Sequence, residues 1–267
     1  MYTFGIKHTT ADNMTTMLQG SQVGPTPTFF FDYSVKDLRR DITCCPFQWT
    51  KGVQTLQSFK SWSFGKLRYE WTNRMIPTGN DDGINRQYMR YADIVLMRAE
   101  LENELNGASA AVPYLTKIRN RAFATSDRAT EVTAYVAEAA LSKEKMFQAI
   151  VDERAYEFAG ELIRKADLIR WGMLKSKMDE TKNKMKAIVS LTDYDSKHPY
   201  SQLSGHAYYK MSAYTWTRNG IETTEKDAKL NLYGLNYGEM DINPEGYTEF
   251  SDSKGEASTW IKDNALE

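Results

Sequence analysis

Between Tyr88 and Leu105 the chain carries two apolar stripes at helical spacing instead of one. Tyr88, Ala92, Val95 and Ala99 lie on one side, and Ile94, Met97, Leu101 and Leu105 on another. With about 3.6 residues per turn, one stripe builds a surface helix, and two stripes place a helix between two layers. Ala92 and Ala99 let a neighbouring backbone come close. Asn106-Gly107 supplies the stop, because both residues tolerate the left-handed conformation at a helix end. A second helix follows at once, with Ala111, Tyr114, Leu115, Ile118 and Ala122 on one side and Pro113 near its start. So short a link makes the two an antiparallel hairpin.

A third helix is expected over Ser142–Ala159, capped by Ser142 with Glu144 in its first turn. Phe147, Ile150, Val151 and Phe158 form its buried side. Arg154 falls on the same stripe and needs acidic partners, for which Glu157 and Glu161 stand in or near reach. A fourth helix is expected over about residues 163–173, extended or followed by a polar stretch over 175–188. No sequence repeat of the tetratricopeptide period is visible, so a stacked-hairpin reading rests on the paired helices.

The flanks differ. Residues 1–80 are punctuated by Gly and Pro and read as long loops with short extended pieces at 28–35 and 56–64. From about residue 191 the helical period disappears, and 191–267 is expected to be irregular, with 206–217 readable as a strand or an ordered loop. The expected division is therefore a loop-rich segment (1–80), a helical core (81–190) and an irregular end (191–267). The terminal WIKDNALE reads like the start of a helix, which suggests a piece of a longer chain.

Charge and motifs narrow the function. The chain holds 34 basic and 35 acidic side chains and a formal charge of −1, so it has no basic excess to neutralise phosphates, and nucleic acid is not an expected partner. No run approaches the roughly 18 apolar residues of a membrane-spanning helix. The adjacent Cys44 and Cys45 are badly placed for an ordinary disulfide. His8, His198 and His206 lie apart without ligand spacing and read as surface residues. The oxygen-rich turn Asn80–Asn85 lacks the calcium-loop spacing and reads as solvated. No metal or cofactor is expected. Nucleophile-elbow, P-loop and dinucleotide signatures are missing. Acidic residues are plentiful enough for a carboxylate-pair glycosidase, yet most sit at solvated helical spacings.

Aromatic residues point more clearly. They make up 12% of the chain, and Trp49, Trp62, Tyr69 and Trp71 lie in or beside the amino-terminal loops. An indole or phenol face covers the C–H face of a sugar ring, while nearby Asn, Gln, Asp and Arg bond its hydroxyl rim. These four residues are the candidate ligand-binding platform. The competing expectation is that the rings fill core beneath the loops.

The helical block also resembles a known family. Gly65-Lys66-Leu67-Arg68, the run Arg90–Glu100, Asn103–Gly107, Ile118–Ala122, Glu153-Arg154, Glu157-Phe158 and Arg164–Gly172 arrive in the order and with the gaps of the SusD/RagB family, and Asp32-Tyr33 and Asp37-Leu38-Arg39 look like its weaker upstream pattern. The resemblance covers about residues 28–174 and implies an all-α fold of tetratricopeptide-like helix pairs, here with long aromatic-rich loops. It implies lipid-anchored proteins of the outer-membrane surface that bind nutrients, mostly glycans, without catalysis and cap a SusC-type TonB-dependent transporter. Only the carboxy-terminal half of such a protein is matched. A signal peptide, a lipidated cysteine and a helical amino-terminal half are part of the family pattern and have no counterpart in this sequence. Arg154, Asp167 and Arg170 look like internal charge pairs of the scaffold. The rival readings are a helical scaffold for protein or peptide cargo and, further off, the glycosidase.

Overall fold

The structure is a computed structural model of the 267-residue chain. It describes residues 5–11, 15, 20, 22–51, 53–57, 61–69, 72, 87–202, 208–218, 221–233 and 248–249, the last three stretches and residues 53, 54, 56 and 202 by their backbone alone. In chain order the elements are α1 (Pro27–Asp32), α2 (Arg40–Thr43), β1 (Cys44–Cys45), β2 (Phe47–Thr50), β3 (Val53–Leu56), β4 (Ser63–Phe64), α3 (Tyr91–Asn106), α4 (Ala108–Ala122), a π-helical turn (Ala129–Ala134) running into α5 (Tyr135–Ala139), α6 (Lys143–Phe158), α7 (Arg164–Arg170), α8 (Leu174–Ser190), β5 (Tyr208–Arg218), β6 (Ile221–Tyr233) and β7 (Thr248–Glu249). The body is all-α, and the strands form two small pairs, β1–β4 and β2–β3, and one sheet of order β6-β5-β7. They group into two units, residues 33–40 with 85–170, and residues 1–32, 41–84 and 171–267.

In the helical unit, α3 and α4 form the expected antiparallel pair, linked by Gly107 at φ +88. Nothing would crowd a side chain there, so glycine is used for its backbone freedom. Ala92, Val95, Leu96 and Ala99 of α3 meet Ala111, Leu115 and Ile118 of α4 and Met146 and Ile150 of α6 in one core. Small residues on α3 set the close approach, and larger ones on α4 and α6 fill the space. The helix begins at Tyr91, so Tyr88, expected on its buried stripe, lies before it and is exposed. Ser142 caps α6 as expected, its Oγ accepting from the Lys145 amide. Residues 33–40 are strapped to this unit by the Leu38 amide donating to the Ala122 carbonyl and the Tyr33 hydroxyl donating to the Tyr156 carbonyl.

The second unit holds α1, the small strands, α8 and the β5–β6 hairpin. Its β2 alternates inward Phe47 and Trp49 with outward Gln48 and Thr50, the period-two pattern of a half-buried strand. Residues 28–35, expected to be extended, instead begin within α1. Pro27 occupies the first helical position, where its fixed φ favours the turn, and Phe30 and Phe31 are buried. Part of the stretch expected to be irregular, 191–267, is the regular antiparallel pair β5–β6, in register from Lys210↔Lys229 to Arg218↔Ile221. Gly172, at φ +67, separates α7 from α8.

Candidate functional site

Three of the four aromatic residues nominated from sequence belong to the interior of the second unit. Trp49 is 0%, Trp62 2% and Tyr69 2% exposed. The His8 ring stacks on Trp49 at 6.1 Å and lies 5.2 Å from Tyr69. Phe47 meets Trp49 edge-on at 6.4 Å, and Phe30 meets Trp62 at 5.5 Å. Gly24 fits beneath Trp62 because a β-carbon there would lie 1.6 Å from the Trp62 carbonyl oxygen. These rings are core, and a buried ring offers no face to a sugar. The expectation of an exposed platform is corrected for all three. The reason is that a loop-rich segment has few aliphatic residues, so its aromatics supply the apolar filling. Trp71 lies outside the described residues, as do His206 and the Asn80–Asn85 turn.

The histidines are corrected too. His8 is buried against Trp49, and His198 is buried, its ring nitrogens 2.7 Å from Asp195 Oδ1 and 3.0 Å from Asp32 Oδ1. Asp32 Oδ1 also accepts from Lys184 Nζ at 2.7 Å, and Lys184 reaches Glu180 at 2.8 Å. This cluster ties the end of α1 to α8. Cys44 and Cys45 are buried, and they are not joined in a disulfide.

The buried acids of the helical unit are occupied by arginines. Glu153 receives Arg119 at 2.8 Å and Arg39 at 2.8 Å. Glu157 receives Arg39 at 3.0 Å, Arg90 at 2.8 Å and Arg121. Arg154 pairs with Asp167 at 2.8 Å and Asp93 at 2.7 Å, not with the Glu157 and Glu161 anticipated from helical spacing. Neighbours from α3 and α7 reach it first, and tertiary placement overrides the local spacing. Asp167 also binds Arg170 at 3.0 Å, and Arg170 binds Glu100 at 2.5 Å. Burial opposes ionisation of Glu157, but hydrogen bonds from Arg90 and Arg121 outweigh it and hold its carboxyl below the usual range. Burial likewise works against the Arg39 charge, and Glu153 and Asp37 more than offset it. A carboxyl held ionised by arginines is a poor general acid, so this network is suited to locking helices, not to proton transfer.

Open surface with the right chemistry lies just before α3. A shallow depression is lined by Gln87, Tyr88, Met89, Arg90, Asp93, Phe158, Glu161 and Ile163. Tyr88 is 85% exposed. Beneath it Arg90 is immobilised: its guanidinium donates to Glu161 at 2.7 and 2.9 Å and to Glu157 at 2.8 Å, and lies 4.9 Å from the Phe158 ring centre. Burial opposes the Arg90 charge, and the bonds to Glu161 and Glu157 outweigh it. The depression thus joins a solvent-facing phenol, an amide and fixed charges on a rigid support. Sequence reasoning missed Tyr88 because its spacing matches the buried stripe of α3. The signal available was the cluster of polar residues directly before it, which places the helix start later.

Antiparallel helices locked together by arginine–carboxylate pairs define a tetratricopeptide-like helical scaffold. The model of the SusD family matches residues 52–251, and the chain belongs to that family. Over 90 residues it is 48% identical to the SusD-like protein P25 of Formosa agariphila, a match covering 34% of this chain and 16% of that protein. A SusD homologue from Bacteroides thetaiotaomicron shares the fold, with a TM-score of 0.54 and 21% identity over 73% of this chain and 41% of the homologue. The chain therefore spans less than half the length of either relative.

Proposed function

We propose that this chain is part of a non-catalytic cell-surface protein that binds a glycan for import through a SusC-type TonB-dependent transporter at the outer membrane, the full-length protein being lipid-anchored. Family membership supports the class of ligand, and the exposed phenol of Tyr88 beside Gln87 is the observation that carries the reading to particular residues. Tyr88 covers a C–H face of the sugar, and the Gln87 amide and the carboxylates of Asp93 and Glu161 take hydroxyl hydrogen bonds at the rim. Trp71 is proposed as a further stacking residue. Trp49, Trp62 and Tyr69 serve as the packed floor of their own unit. Affinity is modest, because sugar hydroxyls must give up well-bonded water.

Calorimetric titration with a panel of neutral and acidic oligosaccharides tests this. Binding that weakens about tenfold in Tyr88→Ala, and is largely kept in Tyr88→Phe, is the expected result. Absence of binding across the panel, or new reducing ends at high protein concentration, overturns it.

A further inference from the structure

The charge at the depression before α3 has a sign that selects among sugars. On one side of it two arginines serve three acids: Arg154 bonds Asp167 and Asp93, and Arg170 bonds Asp167 and Glu100. Arg164 acts on Asp167 only from beyond ion-pair distance and donates to the Val151 carbonyl at 2.8 Å. The arginines around Glu153, Glu157 and Glu161, by contrast, are matched one for one by acids once Asp37 is included. The excess negative charge ends on Asp93, which lines the depression. Its Oδ1 accepts from Arg154 at 2.7 Å, and its Oδ2 accepts no hydrogen bond among the described residues.

Donors are scarce at the same place. A guanidinium has five N–H groups, and four of those on Arg90 are taken by the Glu161 carboxylate, the Glu157 carboxylate and the Glu157 carbonyl. The acceptors are held by an unusual backbone. Gly160 and Leu162 stand at φ +77 and +68 on either side of Glu161. Leucine rarely takes this left-handed conformation, and residues so strained gather where ligands are clamped. The tight reversal, closed by the Glu161 amide donating to the Phe158 carbonyl at 2.9 Å, returns the Glu161 carboxylate to Arg90. We propose that the depression takes an amino sugar, whose ammonium uses Asp93 Oδ2 as its counter-ion and Glu161 as a further acceptor while the sugar ring lies against Tyr88. An ammonium carries three N–H donors and no acceptor, which matches this acceptor-rich surface, and its bonds to carboxylates are charge-assisted. A hydroxyl or an acetamido group offers a single donor, and a carboxylate or sulfate ester offers none and is repelled. The face of the Tyr88 phenol also attracts a cation. The inference rests on the glycan reading and narrows it to one class of sugar.

The test is calorimetric titration of the 267-residue chain with chitosan tetrasaccharide, chitin tetrasaccharide and cellotetraose, at a pH where the amine is protonated. The chitosan form is expected to bind about tenfold tighter than the other two in low salt, with the margin shrinking in high salt. Asp93→Asn, which keeps the shape but not the charge, brings the three affinities within about twofold of one another, with helical circular dichroism unchanged. Should that variant lose helicity, Glu161→Gln provides the same comparison. Equal binding of the three by the wild-type chain, or a preference for chitosan that survives the charge-removing variant, overturns the amino-sugar proposal and leaves the glycan reading standing. A lysine tetrapeptide that binds as tightly as chitosan tetrasaccharide overturns it as well, by making any amine sufficient. Binding of no glycan at all removes both readings.

Discussion

The two units solve the same problem, excluding water from a small interior, with different side chains. The helical unit packs alanine, valine, leucine and isoleucine between helices and threads a chain of arginine–carboxylate pairs among them. In the other unit, the six-residue helix α1, the short strand β2 and the segments around them pack indole, phenol and imidazole rings edge-on and face-on. Helices bring apolar residues together by local periodicity, so small side chains suffice. Loops bring them together only through long-range closure, and large flat rings bury the most area for each residue so fixed.

This contrast can be broken at either end. The largest effects are expected from removing one partner of a buried charge pair: Arg154→Ala takes from Asp93 its arginine and leaves Asp167 with Arg170, and should destabilise the helical unit by about 3–5 kcal/mol, read by chemical denaturation. Arg154→Met, which fills the volume but not the charge, should leave most of that loss in place, because the acids remain buried. In the other unit Trp49→Ala empties a ring-sized space and should cost about 3–5 kcal/mol, read by hydrogen exchange at β2. If Trp49→Ala instead left β2 protected, the ring would not be core.

Acid probes the charge network of the helical unit. Glu157 is held below its ordinary pKa of 4.5, so its contribution is fully present above about pH 4.5 and is lost as pH falls through the lower folded value. Hydrogen exchange at α6 should therefore accelerate below pH 4.5, and Glu157→Gln should flatten that dependence. A smaller effect, about 1 kcal/mol, is expected for Ser142→Ala, which removes the cap of α6. Smallest of all, Tyr88→Ala should change stability by no more than about 0.5 kcal/mol while weakening glycan binding, a combination that a structural tyrosine would not show.

Periodicity made the helix pair α3–α4, the Asn106-Gly107 stop and the Ser142 cap legible, because each depends on residues a few positions apart. The SusD motifs were legible in the same stretch, since Arg90, Arg154, Asp167 and Arg170 build its charge network. The alternation in Phe47–Thr50 marks Trp49 as an inward residue of a half-buried strand, a signal that is local and present in the sequence. Partners of Arg154 were not readable in principle: Glu157 and Glu161 are nearer along the helix, and only the arrival of α3 and α7 supplied Asp93 and Asp167.

What the sequence determined by itself is therefore the helical pairing and the family, both carried by local spacing of residue types. Tertiary structure decided which of the two stripes of α3 is interior. Both have the composition of a core face, and burial depends on what packs alongside. It also decided which rings stay wet: Tyr88 faces solvent and Trp49 does not, because exposure is a property of neighbours distant in the chain.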